Sequence, residues 1–191
     1  MLRNYLKNID LAYCLYRNTL GGNKMIHETD EISNLTVEEV NFNLEDYISD
    51  FIRDKELEGS VREANVLLLP YKEFREVRGP LFPEAYSQFY DYLLENLNDS
   101  KVELCVEEED YKEVALHDET INLGLMFLTG IVLPVVSNLI SEYIISSHDN
   151  KKVNVKVSFI EKEGDKYKKF DYEGDSKYLK DTIETYLKKG D

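Results

Sequence analysis

Alternating polar and apolar positions predict a β-β-α arrangement at the end of the chain. Over residues 153–159 every second side chain is apolar, which is typical of a strand with one buried face. A turn at residues 163–166 leads into a second run over residues 167–172, so the two runs predict a hairpin. After a turn at residues 174–176, apolar residues recur every three or four positions, which predicts a closing helix.

The middle of the chain predicts a βαβ unit. Residues 66–69 are continuously apolar and end at Pro70, as expected for a strand buried on both faces. Pro83 suits the first position of a helix, and apolar residues at helical spacing follow it to about Leu97. Apolar and other side chains then alternate over residues 102–106, which predicts a second strand. Strand, helix and strand in this order favour a parallel pair.

The first sixty residues predict helices. Apolar residues from Leu2 to Leu20 are spaced by three and four, and the glycines after Leu20 would end that helix. Asn43 is a good cap for a second helix over residues 44–52, with acidic residues in its first turn. Residues 58–60, Glu-Gly-Ser, predict a break.

Residues 121–140 form a long stretch without any charged residue, and they predict one apolar helix. About 20 such residues can cross a bilayer, but Asn122, Pro134 and Asn138 weaken a membrane assignment. A buried core helix is favoured; a helix exposed until it meets another chain and a membrane-inserting helix are the alternatives. Contact with a partner or membrane is predicted for five side chains: Leu125, Phe127, Ile131, Val132 and Val135.

The expected fold class is therefore α/β or α+β: N-terminal helices, a βαβ core, a long buried apolar helix and a C-terminal β-β-α. Three regions follow from these elements. Residues 1–58 form a helical N-terminal region, residues 59–150 the α/β core, and residues 151–191 the tail. We expect the tail to pack on the core as part of one domain.

The charge of the chain argues against one class of partner. The formal net charge is −15, from 38 acidic and 23 basic residues, so the surface as a whole repels phosphate backbones. Nonspecific nucleic-acid binding is therefore disfavoured. The charge is uneven: residues 28–58 carry eleven acids against two bases, whereas residues 151–191 carry eleven lysines against nine acids. A solvated surface explains this distribution best.

The compartment is predicted from the cysteines and the first residues. Cys14 and Cys105 are far apart in apolar settings, which indicates buried reduced thiols in a cytosolic protein. The first seven residues carry charge and polarity too densely for the apolar core of a signal peptide. We therefore expect a cytoplasmic protein.

Candidate chemistry is sparse. The three histidines show no metal-binding spacing to each other or to a cysteine, and neither a cofactor nor a metal site is predicted. Residues 117–119, His-Asp-Glu, stand at an expected helix start, where acids favour the helix dipole. Residues 147–149, Ser-His-Asp, are adjacent and cannot form a linear relay. Neither group predicts a catalytic site.

One pattern raises a nuclease hypothesis. Asp110 and Lys112 follow the strand at residues 102–106 with the acid-x-lysine spacing of metal-dependent nucleases. That chemistry needs another acid to hold a divalent ion, and Glu63 could supply it.

The last 70 residues carry a resemblance. The pattern consists of a long apolar helix over residues 121–145, the alternating run at 152–157, the turn at Gly164, Phe-Asp-Tyr at 170–172 and a short final helix. It resembles the small effector-associated constant components of bacterial conflict systems. The resemblance implies a non-catalytic subunit of an antiviral complex, and it assigns no functional residue.

The leading hypothesis is therefore a non-enzymatic accessory or adaptor subunit that acts by protein–protein interaction. Its partner is another protein subunit or a second copy of the chain. Fourteen tyrosines, which serve interfaces well, support this hypothesis. The alternatives are a membrane-inserting effector that uses residues 121–140 and a metal-dependent nuclease that uses Glu63, Asp110 and Lys112.

Overall fold

The computed structural model describes residues 24–26, 32–74, 76–84, 86–115, 120–130, 133–147 and 153–189. Its strands are β1 (Lys24–Ile26), β2 (Ile32–Val40), β3 (Val66–Leu69), β4 (Tyr71–Phe74), β5 (Val77–Pro83), β6 (Val102–Leu104), β7 (Glu113–Val114), β8 (Ile121–Leu128), β9 (Asn154–Glu163) and β10 (Lys166–Asp175). Its α-helices are α1 (Leu44–Phe51), α2 (Lys55–Glu63), α3 (Tyr86–Asn96), α4 (Leu133–Ser147) and α5 (Leu179–Lys189), and short 3-10 helices span Glu108–Asp110 and Ser176–Tyr178.

A seven-stranded mixed sheet organises the fold, with the strand order β1-β2-β10-β9-β8-β3-β6. Neighbours are antiparallel except for two parallel pairs, β8 with β9 and β3 with β6. A second, three-stranded sheet has the order β4-β5-β7. The predicted fold class, α/β or α+β, is confirmed.

Each face of the large sheet carries a hydrophobic core. On one face, α3, α4 and α5 pack over the strands; on the other, α1 and α2 cover part of the sheet. Strand β3 contributes to both, since Leu68 lies in the first core and Leu67 in the second, and all four of its residues are buried. A continuous apolar run is what a strand buried on both faces requires.

Several predicted elements are confirmed. Strands β3 and β6 are parallel with α3 between them in sequence, as the βαβ unit requires. Strands β9 and β10 form the antiparallel hairpin, and α5 follows. The predicted cap of α1 is present, because the Asn43 side chain accepts a hydrogen bond from the backbone N–H of Glu45 at 3.2 Å.

The prediction of one helix over residues 121–140 is wrong. Residues Ile121–Leu128 form β8, which pairs with β3 and β9, and α4 begins at Leu133. The chain changes direction near Gly130, which has a left-handed φ of +66°. A short apolar run fits a central strand as well as a buried helix, so periodicity could not separate them. No helix in the described part of the chain is long and apolar enough to cross a membrane.

Three further predictions concern residues 58–60, Pro83 and residues 2–20. The break at residues 58–60 is wrong: these residues lie within α2, so the boundary after residue 58 falls inside a helix. Pro83 ends β5 instead of starting a helix. The helix predicted from Leu2 to Leu20 lies outside the described residues. Strand β2 and the β4–β5 hairpin were not predicted.

Candidate binding cleft

A cleft of about 1020 Å³ opens on the sheet face that carries α1. Its floor is formed by β2, β10, β9 and β8, and its walls by α1 and β4. It is lined by Asn34, Leu35, Thr36, Tyr47, Pro70, Tyr71, Lys72, Glu73, Phe74, Asn122, Gly124, Leu125, Lys156, Val157, Ser158, Lys169, Asp171, Tyr172 and Glu173. The volume is at the upper end of the roughly 300–1,000 Å³ found for small-molecule pockets.

Strand alternation makes the floor polar. On β10, Phe170 and Tyr172 point into the core beneath α5, so Lys169 and Asp171 point to the opposite face and line the cleft. The β2 and β9 residues aligned with Asp171 are Thr36 and Ser158. These three side chains form one row across three neighbouring strands.

Asp171 is the centre of that row. Its carboxylate accepts a hydrogen bond from the Ser158 hydroxyl and lies 2.9 Å from the Lys169 ammonium. The Lys169 and Asp171 side chains are 30% and 35% exposed, so a molecule in the cleft can reach them. The contacts fix the carboxylate on a rigid strand while leaving part of it free.

The cleft is electrically balanced in a strongly acidic protein. Three lysines and three acidic residues line it, so its formal charge is zero, whereas the whole chain carries −15. Opposite charges adjoin one another: Lys156 lies 4.0 Å from Glu173, and Lys169 lies beside Asp171. Such partly exposed pairs contribute little to stability, but they present both signs of charge to a ligand.

Lys72 connects the two walls of the cleft, α1 and β4. Its ammonium donates to the Asp50 carboxylate at 2.6 Å and to the backbone carbonyl of Asp46 at 3.0 Å. It also lies 4.5 Å from the centroid of the Tyr47 ring and 5.9 Å from that of Phe51. One lysine therefore joins the two walls through a hydrogen-bonded ion pair and aromatic contacts.

A β-bulge shapes the β8 end of the cleft. The register of β8 against β9 shifts between Asn122 and Leu125, and Gly124 has a φ of +62°. The Asn122 side-chain oxygen accepts hydrogen bonds from the Gly124 N–H at 2.8 Å and from the Tyr71 hydroxyl at 3.0 Å. Burial raises the pKa of Tyr71 above its ordinary value. The neutral phenol is thus the form that ties β4 to the bulge.

Tyr86 lies behind the bulge. Its hydroxyl is buried and has no hydrogen-bond partner in the described protein, and a Cβ added at Gly124 would lie 3.4 Å from it. Burial raises the pKa of Tyr86 well above its ordinary value of 10.0. The phenol is therefore neutral at physiological pH.

The five residues predicted to contact a partner or membrane do not share one helix. Leu125 lines the cleft, whereas Phe127 is 6% exposed, and its ring centroid is 4.8 Å from that of Phe42. Val135 is 46% exposed on α4, which packs on the opposite face of the sheet. Ile131 and Val132 lie outside the described residues.

The residues of the nuclease hypothesis have structural partners. The Glu63 carboxylate lies 3.1 Å from the Lys101 ammonium, and the Asp110 carboxylate lies 2.8 Å from the Arg53 guanidinium. The backbone carbonyl of Lys112 accepts from the N–H of Phe82 at 2.9 Å. Across the described ranges, no group of three or more His, Cys, Asp or Glu side chains could hold a metal ion. Residues 117–119 and 148–149 lie outside those ranges.

The acidic run at residues 107–110 organises the start of α2. The Glu107 carboxylate accepts hydrogen bonds from the backbone N–H groups of Arg53 and Asp54, at 2.5 and 2.9 Å. The Arg53 guanidinium then bridges Glu109 and Asp110. An acidic group at a helix start satisfies free N–H groups and suits the dipole.

Only part of the cleft could be predicted from the pattern of polar and apolar residues. The polar floor residues of β9 and β10 occupy polar positions of the predicted strands, which indicate a solvated strand face equally well. The floor residues of β2 and β8 were not predicted to lie on strands. No family model, curated protein or solved structure matches the chain. The resemblance to conflict-system components therefore stays a prediction, and one of its features, the helix over residues 121–145, is replaced by β8 and α4.

Proposed function

We propose that the protein is a non-enzymatic adaptor that binds a segment of another protein in this cleft. The observation that carries the proposal is the row of Thr36, Asp171 and Ser158 on the sheet floor, flanked by charges of both signs. A floor built on paired strands is rigid, so its side chains are positioned before a ligand arrives. Preorganisation of this kind reduces the entropic cost of binding.

The balance of charge supports a polypeptide ligand. A nucleic acid or other polyanion would need an excess of positive charge, and the cleft lining has none. A peptide presents neutral backbone donors and acceptors together with side chains of either sign. Paired lysines and carboxylates, hydroxyls and amides can satisfy all of these groups.

The aromatic lining supports the same proposal. Tyr47, Tyr71 and Phe74 line the cleft, and the rings of Tyr71 and Phe74 are 6.1 Å apart. Tyrosine gives a large contact area with a hydrogen-bonding end, and it is enriched at protein interfaces. Leu125 adds an apolar contact at the bulge. Apolar side chains of the partner would be buried there.

The setting of this adaptor follows from the resemblance described above. A non-catalytic subunit of a bacterial antiviral complex would need a surface for a protein partner, and the cleft offers one. This assignment to antiviral defence is part of the proposal.

Site-specific photo-crosslinking tests the proposal. Thr36 is replaced by p-benzoylphenylalanine in the cells that naturally produce the protein, and Val135 is replaced in a matched control. Thr36 lies in the cleft, whereas Val135 lies on the opposite side of the sheet. We expect one protein to crosslink at position 36 and not at position 135. That protein, once purified, should bind and crosslink at position 36 again.

Two outcomes would overturn the proposal. The first is crosslinking of a purified partner at position 135 with none at position 36. The second is the absence of a specific protein adduct at position 36 although the variant is folded and photoactive. In either case the cleft does not bind a protein partner.

A further inference from the structure

The groups around the Lys72 ammonium all come from α1. Asp50 supplies a carboxylate, Asp46 a backbone carbonyl, and Tyr47 and Phe51 two aromatic rings. All four residues lie within α1, from Asp46 in its first turn to Phe51 at its last residue. Lys72 comes from β4, on the other wall of the cleft.

These groups match the chemistry of a primary ammonium. An ammonium donates three hydrogen bonds, and here a carboxylate and a carbonyl accept two of them. The faces of Tyr and Phe attract a cation within about 6 Å of the ring centroid, and both rings satisfy this limit. A simple surface ion pair would need only the carboxylate.

From this arrangement, we infer that α1 carries an ammonium-binding subsite of the cleft, and that the chain's own Lys72 occupies it in the free protein. A lysine side chain of the partner replaces Lys72 when the partner binds. This identification of the incoming lysine rests on the proposed function, whereas the subsite itself does not.

Lys72 is suited to being displaced. Its side chain is 40% exposed and Asp50 is 50% exposed, so the contact is weak and open to competition. A lysine has a flexible four-carbon stem, so its head group can leave without movement of β4. Release would also remove this contact between α1 and β4.

The test empties the subsite and offers it a small cation. In Lys72→Ala and Lys72→Gln, n-butylammonium is titrated while the amide NMR signals of residues 46–51 are followed. We expect saturable shifts in both variants, with an apparent affinity at least about fivefold higher than in the wild type. Adding Asp50→Asn to either variant should weaken binding again by about fivefold. Uncharged n-butanol is the control for apolar contact.

Dispersed amide spectra establish that each variant is folded before the titration is interpreted. Shifts that are absent in both folded Lys72 variants, or that are equal in the wild type, would overturn the subsite. Equal shifts with n-butanol would do the same. The titration needs no partner, so its failure leaves the crosslinking result at Thr36 unaffected, and a failed crosslink leaves the titration unaffected.

Discussion

Gly124 and Tyr86 lie in direct apposition behind the cleft: a Cβ at Gly124 would be 3.4 Å from the buried Tyr86 hydroxyl. The glycine has a φ of +62°, and Asn122 fixes its N–H. The bulge therefore depends on a conformation that other residues adopt only with strain.

Gly124→Ala should destabilise the protein. The added methyl group meets Tyr86 and Pro83 at ordinary contact distance, so the main cost is the left-handed backbone, about 1–2 kcal/mol. Gly59→Ala is the matched control, because Gly59 lies in α2 with nothing within 4 Å of an added Cβ. That substitution should stabilise by about 0.5–1 kcal/mol. Urea unfolding measures both; equal effects of the same sign would contradict this account of Gly124.

Asn65 should contribute to stability through both ends of its amide. Its oxygen accepts from the N–H of Lys101 at 2.9 Å, and its NH₂ group donates to the carbonyl of Thr129 at 3.0 Å. These bonds join the ends of β3, β6 and β8. Asn65→Ala should lower the unfolding free energy by about 1–3 kcal/mol, because it leaves partly buried groups unpaired.

Asn65→Asp is the informative comparison. It retains an oxygen for the N–H of Lys101 but cannot donate to the carbonyl of Thr129 at neutral pH. Thermal or urea unfolding should show the predicted loss of stability for Asn65→Ala if the amide joins the strands. A smaller loss would indicate that the backbone hydrogen bonds around residue 65 are enough to join them.

Stability should fall at alkaline pH, partly because of Cys105. Burial raises the pKa of this thiol from its ordinary value of 9.0 to about 12. The unfolded chain therefore loses the proton first, and the stabilisation, complete below pH 9.0, is lost as the pH rises towards 12. The slope for one group reaches about 1.4 kcal/mol per pH unit.

The Cys105→Ala variant isolates this effect. Buried tyrosines such as Tyr86 have raised pKa values and destabilise both proteins alike at high pH. Urea unfolding at pH values between 9 and 11 should therefore give a steeper fall for the wild type than for Cys105→Ala. Parallel curves would show that the pKa of the thiol does not differ between the folded and unfolded states.

The sequence pattern correctly predicted those helices and strands that depend mainly on residues close to them in sequence. The alternation at residues 153–159 and the Asn43 cap depend on neighbours in sequence, and β9, β10, α5 and α1 were found where expected. The prediction of one helix over residues 121–140 failed for a different reason. Both halves are apolar, and only pairing with β3 and β9 makes the first half a strand. That pairing is not visible in the local periodicity.

The cleft depends even more on long-range contacts. Thr36, Ser158 and Asp171 meet because β2, β9 and β10 pair in a particular register. In sequence, Ser158 and Asp171 are only polar residues of predicted strands, where solvent exposure is expected, and the strand that carries Thr36 was not predicted. The contacts of Lys72 with α1 could likewise not be predicted, because they require β4 to lie against that helix.

The most direct test is the affinity of the purified crosslinked partner, measured by isothermal titration calorimetry. Thr36→Tyr places a bulky side chain on the cleft floor at a position where a strand tolerates it, and Val135→Tyr adds the same group on the opposite side of the sheet. Both variants are first shown to be folded by circular dichroism. We predict that Thr36→Tyr weakens binding by at least about tenfold and Val135→Tyr by less than about twofold. Unchanged affinity for Thr36→Tyr would contradict the assignment of the cleft as the binding surface.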